Sequence, residues 1–275
     1  MGYRWPLHSL SVLLLLAAAP LRAQAASAPG QPDIDELLRR TQDNLWEYRG
    51  SVPDFFADEH VVSTMKQDGA REMKITTDSI FRLVRSRTIG EEQTLNESRE
   101  IRLINKKPAH GDNLRGPAIF NGAFSSAPGI VSLEMSRCFD YTLDPAAALL
   151  NKQPTLLVSY SLRADVLGDD TCPGPERQSG RAWIDPASFH LLRIEMVIPN
   201  HIDNNGTRTL WNWSADFAPV ELDNRQFWMP KTITSHAEAN DGSAVWSFVA
   251  TYSNYHKLTV KSRIVTDVEG NPPPQ

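Results

Sequence analysis

The feature that most constrains this chain is an alternating apolar and polar pattern over residues 180–199, GRAWIDPASFHLLRIEMVIP. Period-two alternation places successive side chains on opposite sides of a pleated strand. Asp185-Pro186, between the two runs, favours a tight turn because proline presets the backbone angle. The segment therefore predicts a β-hairpin with one buried and one solvated face. The apolar positions of its second strand are Leu192, Ile194, Met196 and Ile198.

The same alternation recurs along most of the chain, between turn signals such as Asp68-Gly69 and Asp241-Gly242. It predicts roughly eight to eleven strands. One amphipathic helix begins at the capping residue Asp33 and ends near Gly50. Because one helix cannot supply the crossovers that parallel strands need, the sheet must be mostly antiparallel. Outside the hairpin, the main predicted strands cover residues 55–66, 72–87, 100–106, 156–164, 207–217, 227–238 and 244–255.

Residues 1–25 have the pattern of a signal peptide. Arg4 precedes an apolar core of about ten residues, which is too short to span a bilayer. Small residues before Ala26 predict that the mature chain starts there. No later run is long and apolar enough for a transmembrane segment. We therefore expect a periplasmic or secreted protein.

The mature chain is expected to form a single β domain over residues 33–268, between a disordered lead at 26–32 and a disordered tail at 269–275. An irregular insertion at about 108–154 interrupts the strands with Gly, Pro and Asn turns. Insertions of this kind often carry function or cover a cavity. Two short helices are predicted inside it, near 131–137 and at 146–151.

The two cysteines of the chain, Cys138 and Cys172, predict a disulfide in an oxidising compartment. The formal net charge is −5, and the signal peptide removes Arg4 and Arg22 without removing an acid, so the mature chain is more acidic still. A phosphate-binding surface needs a basic patch. The charge therefore argues against nucleic acid as a partner.

No motif supports catalysis or metal binding. Ser63-Thr64-Met65-Lys66 matches S-x-x-K, but it lies in a predicted strand, where residues three apart point to opposite faces. The sequence contains no Gly-x-Ser-x-Gly elbow, His-Glu-x-x-His or Cys-x-x-Cys. We assign no catalytic residue, metal ligand or cofactor, and a hydrolase without a recognisable motif stays open as an alternative.

Two late strands carry aromatic stripes that share an apolar face. One interpretation is a core face packed by the N-terminal helix. The other is a concave surface that binds an apolar ligand, because one helix is narrow for so wide a sheet. Both interpretations stay open at this point. The residues of this candidate ligand face are Trp211, Trp213, Phe217, Trp246, Phe248 and Tyr252.

A signal peptide, an amphipathic helix and paired strands precede the hairpin motif Gly180-Arg181-Ala182-Trp183-Ile184-Asp185-Pro186, which is followed by Leu192-Arg193-Ile194. This order and this motif resemble those of the periplasmic lipoprotein-carrier superfamily. This superfamily includes LolA-like, LolB-like and RseB-like proteins. Trp228-Met229-Pro230-Lys231, before a strand, is also similar to the family's late sheet. The insertion at 108–154 and the two cysteines fall outside the family's pattern.

The resemblance implies an α+β, mainly antiparallel fold, in which a curved, unclosed β-barrel carries the N-terminal helix on its concave face. It also implies a non-enzymatic protein that holds a lipid or a lipoprotein acyl chain in an apolar cavity. A fold likeness does not by itself assign a function. The alternative is an envelope interaction module with a filled core and no ligand.

Overall fold

The computed structural model describes residues 32–86, 94–109, 122–203 and 206–259. The predicted signal peptide, mature start and C-terminal tail lie outside these residues. Helix α1 spans Ile34–Ser51 and precedes β1 (Phe55–Gln67), β2 (Met73–Arg85), β3 (Leu95–Ile104), β4 (Lys107–Pro108), β5 (Phe139–Leu143), β6 (Ala148–Leu150), β7 (Gln153–Leu162), β8 (Ser179–Ile184), β9 (Leu191–Ile202), β10 (Arg208–Leu222), β11 (Arg225–Ala239) and β12 (Ala244–Lys257). Short 3-10 helices lie at Ala127–Ile130, Leu133–Arg137 and Ala164–Val166.

The strands form one antiparallel sheet in the order β4-β3-β2-β1-β12-β11-β10-β9-β8-β7-β5, with β6 paired to β7. Most neighbours in the sheet are consecutive in sequence, as short turns require. The long β1–β12 pair is an exception, because it joins the first and last strands of the described chain. The sheet does not close on itself, so the mainly antiparallel, unclosed architecture predicted from the sequence is confirmed.

Helix α1 begins where the sequence predicts. The Asp33 side chain caps it by accepting a hydrogen bond of 2.7 Å from the backbone N–H of Glu36. Its buried stripe includes Leu37, Leu38 and Leu45. Leu37 and Leu38 belong to the same apolar core as the inner face of the sheet. The helix therefore packs on the sheet through one apolar stripe, and its polar face stays in solvent. No helix in the described part of the chain is long and apolar enough to cross a bilayer.

The hairpin predicted at 180–199 is formed by β8 and β9. In its turn, Asp185 Oδ1 accepts hydrogen bonds from the backbone N–H groups of Ala187 (3.0 Å) and Ser188 (2.7 Å). Gly180 allows a close approach at the start of the hairpin, because a Cβ there would lie 2.0 Å from the Glu195 backbone oxygen. The Tyr160 hydroxyl donates to that same oxygen at 2.7 Å. A side chain at position 180 would break this contact between β7 and β9.

The insertion differs in part from its prediction. The helix predicted at 146–151 is wrong, because Ala148–Leu150 is strand β6 and pairs with β7. Asn151 and Lys152 turn the chain back with φ of 51° and 69°, a left-handed conformation that ends any helix. The predicted disulfide is confirmed: Cys138 and Cys172 join the start of β5 to the loop before β8.

Candidate functional site

One half of the inner face of the sheet is filled with aromatic side chains. We call this the packed half; it consists of the inner faces of β1, β2, β3 and β12 together with Phe124. The Phe81 ring centroid lies 4.5 Å from that of Phe124 and 5.4 Å from that of Tyr252. Phe55 closes the cluster at 6.0 Å from Phe124. These four rings are at most 4 % exposed, so they occupy the space that a ligand would need.

The packed half also contains a desolvated ion pair. The Arg99 guanidinium donates from Nε to Glu59 Oε1 at 2.8 Å, and the side chains are 9 % and 0 % exposed. The Tyr252 hydroxyl donates to the same carboxylate oxygen at 2.7 Å. Burial and the neighbouring Glu59 charge raise the pKa of Tyr252 well above its ordinary value, so this hydroxyl keeps its proton. Arg99 lies 5.1 Å over the Phe81 ring, which links the ion pair to the aromatic cluster.

A clamp from β3 holds the end of the insertion over the packed half. The Glu97 carboxylate accepts hydrogen bonds from the backbone N–H groups of Gly122 (2.9 Å), Phe124 (3.0 Å) and Ser125 (3.0 Å). Several bonds to one carboxylate fix both the loop and the side chain. This clamp keeps Phe124 between Phe55 and Phe81. This part of the insertion therefore covers the inner face.

The other half of the inner face keeps a cleft of about 150 Å³ between α1 and the nearby ends of β8–β11. We call it the rim cleft. Its walls combine aromatic and aliphatic side chains, which sites for apolar ligands need, with nearly as much polar surface. They come from α1, from the insertion, from the β8–β9 turn and from the β10–β11 hairpin. The apolar lining residues are Leu45, Tyr48, Pro128, Val131, Phe189, Leu191, Phe217, Phe227 and Trp228.

Polar groups cross the mouth of the rim cleft. The Asn44 side-chain amide of α1 donates to the Ser188 backbone oxygen at 2.9 Å. Glu47 Oε1, also on α1, lies 3.8 Å from an Arg225 guanidinium nitrogen at the start of β11. These contacts join α1 to the β8–β9 turn and to the β10–β11 hairpin. Among the described residues, no cluster of three or more His, Cys, Asp or Glu side chains could hold a metal ion.

His190 forms part of the same wall and stacks on Trp228 with ring centroids 4.9 Å apart. Burial lowers the pKa of His190 below its ordinary value, and the nearby Asp185 and Glu47 carboxylates oppose this shift only in part. The ring is therefore predominantly neutral at neutral pH. A neutral imidazole on an indole ring extends the apolar wall and adds no charge to it.

The Tyr48 hydroxyl is buried and has no hydrogen-bond partner among the described atoms. Burial raises the pKa of Tyr48, and the Glu97 charge adds to that effect, so the phenol stays protonated. Buried polar atoms without a partner are uncommon in folded proteins and cost about 1–3 kcal/mol. Tyr48 belongs to the lining of the rim cleft, so this uncompensated group lies next to the candidate site.

The structure separates the six residues of the candidate ligand face. Trp213, Phe248 and Tyr252 are buried in the core, whereas Phe217 also lines the rim cleft. Trp211 is partly buried; its indole N–H donates to the Ser235 hydroxyl at 2.8 Å. Trp246 is also partly buried. Their role as a ligand face remains a prediction, and the structure places only Phe217 in the cleft.

Sequence reasoning missed most of the rim cleft. Tyr48 lies on the recognised helix, Phe189 and His190 lie in the turn of the recognised hairpin, and Trp228 lies in the recognised Trp-Met-Pro-Lys motif. Each segment was identified, but no periodicity links them. One local signal was available, since Pro230 predicts a bulge near Trp228. The structure has the register shift there, where Phe217 pairs with Pro230.

No family model and no curated protein matches this chain. Solved structures do align with it. A DUF1329 family protein from Desulfovibrio piger is 8 % identical with a TM-score of 0.36, and the alignment covers 82 % of this chain and 95 % of that one. A LolA superfamily protein from Nitrosomonas europaea is 12 % identical with a TM-score of 0.34, covering 86 % and 98 %. The Mycobacterium tuberculosis lipoprotein LppX is 13 % identical with a TM-score of 0.26, covering 82 % and 97 %. At these identities and TM-scores the alignments report a similarity, and they assign neither a family nor a role to this chain.

Proposed function

We propose that this protein is an exported, non-enzymatic binding protein that holds an acyl chain or another apolar ligand in the rim cleft. The observation that carries the proposal is the lining of that cleft, where side chains from four separate segments leave an aromatic and aliphatic space open at the edge of a packed core. The buried, unpartnered hydroxyl of Tyr48 in the same lining supports it. The disulfide fits an oxidising compartment.

The cleft must enlarge to accept a long chain. Its volume of about 150 Å³ is below the roughly 300–1,000 Å³ of typical ligand pockets. Helix α1 is the wall that can move, because its polar contacts across the mouth are the Asn44–Ser188 hydrogen bond, the loose Glu47–Arg225 pair and Arg40 at 4.9 Å over the Phe189 ring. All three contacts involve side chains or turn groups that are at least partly exposed to water, so breaking them costs little.

On its other side, α1 is bound firmly to the insertion. The Thr41 hydroxyl donates to the Val131 backbone oxygen at 2.7 Å, and the Gln42 side chain accepts from the Glu134 backbone N–H at 2.7 Å. Thr41 and Gln42 are 8 % exposed, so these bonds are shielded from water. We infer that α1 and the segment around 131–134 move outward together, away from the ends of β8–β11.

A matched pair of helix variants tests the proposal. Asn44→Trp places an indole in the mouth of the cleft, whereas Asp43→Trp adds the same side chain at the adjacent, exposed position of α1. Binding of cis-parinaric acid is measured by its fluorescence. We expect the wild type and Asp43→Trp to bind alike, and Asn44→Trp to bind at least about tenfold more weakly. An absence of binding to the wild type, or equal binding by both variants, would contradict the proposal.

The alternative of an interaction module is supported by a different observation. Trp46 is 55 % exposed on the outer side of α1, and Leu149 is 68 % exposed on β6. Exposed large apolar residues can mark protein contacts, although single ones are common on soluble proteins. This alternative predicts that the wild type binds no apolar probe and that Trp46→Ala weakens capture of a partner. Probe binding that Trp46→Ala leaves unchanged would favour the rim cleft instead.

A further inference from the structure

We infer that the ligand carries an anionic head group, a carboxylate or a phosphate, and that Arg225 binds this group at the mouth of the rim cleft. This inference rests on the proposed function. It adds a specificity based on charge to a site that is lined in part by aromatic and aliphatic side chains. It also assigns a role to Arg225, which no motif in the sequence identified.

Local structure holds Arg225 at the rim. Asp223 and Asn224 form the turn between β10 and β11 with φ of 55° and 60°, so Arg225 is the first residue of β11. Its guanidinium lies 5.3 Å over the ring of Phe227, itself a wall of the cleft. The planar guanidinium of arginine suits both stacking on an aromatic ring and two parallel hydrogen bonds to a carboxylate or phosphate. The charge is therefore placed where the apolar wall meets solvent.

The present partner of Arg225 is easily replaced. The Glu47 carboxylate lies 3.8 Å away, and the two side chains are 73 % (Glu47) and 55 % (Arg225) exposed. Exposed pairs at such distances contribute little, so a ligand anion can displace Glu47 at small cost. Outward movement of α1 would itself withdraw Glu47, which is carried by the helix, and leave Arg225 on the sheet.

The other polar groups at the mouth favour an anion as well. Within the described lining, Glu47 and Arg225 are the charged residues. Asn44 and Gln226 add side-chain amides that can donate hydrogen bonds, and His190 contributes a predominantly neutral ring because burial lowers its pKa. Glu47 could attract a cationic head, but its side chain is 73 % exposed, whereas Arg225 lies over the Phe227 ring. The ligand class that fits is thus a single-chain amphiphile with a negative head.

Four amphiphiles with one chain length test the inference: dodecanoate, dodecyl phosphate, dodecanol and dodecylammonium. Their affinities are measured by isothermal titration calorimetry below the concentrations at which they form micelles. We expect at least one of the two anions to bind the wild type about tenfold more tightly than dodecanol. The carboxylate and phosphate arms show which head group is preferred. Arg225→Ala should remove the preference, so that neither anion binds more tightly than dodecanol, and a circular dichroism spectrum equal to that of the wild type shows that the variant is folded.

Two further variants sharpen the test. Glu47→Gln should tighten anion binding about twofold, because it removes the competing carboxylate. Arg208→Ala, an exposed arginine at the opposite end of β10, should keep the full preference. If dodecanol or dodecylammonium binds the wild type as tightly as both anions, or if Arg225→Ala keeps the preference, the inference is wrong while the proposed function stands. If none of the four binds, both are wrong.

Discussion

The packed half and the rim cleft lie on the same inner face of one sheet, but they are stabilised in different ways. In the packed half, Phe81 is fully buried among other rings and Glu59 is fully desolvated against Arg99. At the rim cleft, the polar contacts of α1 with the sheet edge are a hydrogen bond from Asn44, a loose ion pair at Glu47 and the Arg40 guanidinium 4.9 Å over the Phe189 ring. The first region has interactions shielded from water, and the second has interactions that water can replace.

This difference separates stability from binding. Buried contacts are lost only when the protein unfolds, whereas exposed contacts between packed elements break in local opening at much lower free energy. The packed half should therefore determine the free energy of unfolding, and the rim cleft should determine ligand entry. Mutations in one region should leave the property of the other nearly unchanged, which makes the comparison directly testable.

The largest expected effect is from Phe81→Ala. Removing this buried ring leaves a cavity beside Phe124 and Tyr252, and it should lower the free energy of unfolding by about 3–5 kcal/mol. The matched change at the rim cleft, Phe189→Ala, removes a partly exposed ring and should cost about 1 kcal/mol. Urea denaturation measures both. Equal losses for the two variants would remove the distinction between the regions.

Glu59→Gln tests the buried ion pair without a change of shape. It removes the carboxylate charge that faces the Arg99 guanidinium, which is 9 % exposed, and it should destabilise the protein by about 3 kcal/mol. Glu100 pairs with Arg82 and Arg102 on the exposed surface, so Glu100→Gln is the control and should change stability little. The account fails here if Glu59→Gln is as mild as its control.

The disulfide should have an intermediate effect. Cys138 and Cys172 are 34 residues apart, and removing such a link should cost about 2–4 kcal/mol. The double variant Cys138→Ala/Cys172→Ala and the reduced wild type should unfold at the same urea concentration. Adding reductant to the double variant is the control and should change nothing. If the reduced wild type is as stable as the oxidised protein, the disulfide does not stabilise the fold.

The smallest effect concerns protonation of His190 at the rim cleft. Its folded-state pKa lies below the ordinary 6.5 because of burial, so the unfolded chain takes up the proton first as pH falls through 6.5. Stability should therefore decrease slightly below that pH, until the folded-state pKa is passed. An NMR titration of the ring should give a midpoint below 6.5, and Asp185→Asn should lower it further because that carboxylate favours the charged ring. A midpoint above 6.5 would show that the Asp185 and Glu47 carboxylates outweigh burial at this ring, contrary to the account.

Much of the fold follows from local chemistry in the sequence. Asp33 and the apolar stripe behind it fixed the start and the buried face of α1, and the alternation around Asp185-Pro186 specified the hairpin. These signals are strong and act over a few residues, so they depend little on the tertiary context. The helix predicted at 146–151 did not form, because its local pattern was weak. A turn at Asn151 and pairing with β7 outweighed that pattern.

The candidate site follows from long-range packing, which the sequence pattern does not reveal. Phe124, from the insertion, covers part of the aromatic inner face, and the Glu97 carboxylate holds it there through its backbone N–H. The sequence pattern does not show which aromatic side chains are covered in this way. One signal was present in the first strand, where Glu59 occupies an alternating position between Ala57 and Val61 on an apolar face. A carboxylate at such a position requires a buried partner. Its partner, Arg99, is 40 residues away, and only the pairing of β1, β2 and β3 brings the two together.

The most direct test of the central claim is amide hydrogen exchange with and without dodecanoate. Without ligand, α1 should exchange faster than the paired central strands β1 and β12. With ligand, protection should rise in α1, in the β8–β9 turn around Phe189 and in the β10–β11 hairpin around Arg225, while β1, β2 and β3 stay unchanged. Protection that rises in the strands of the packed half, with α1 unaffected, would contradict the account.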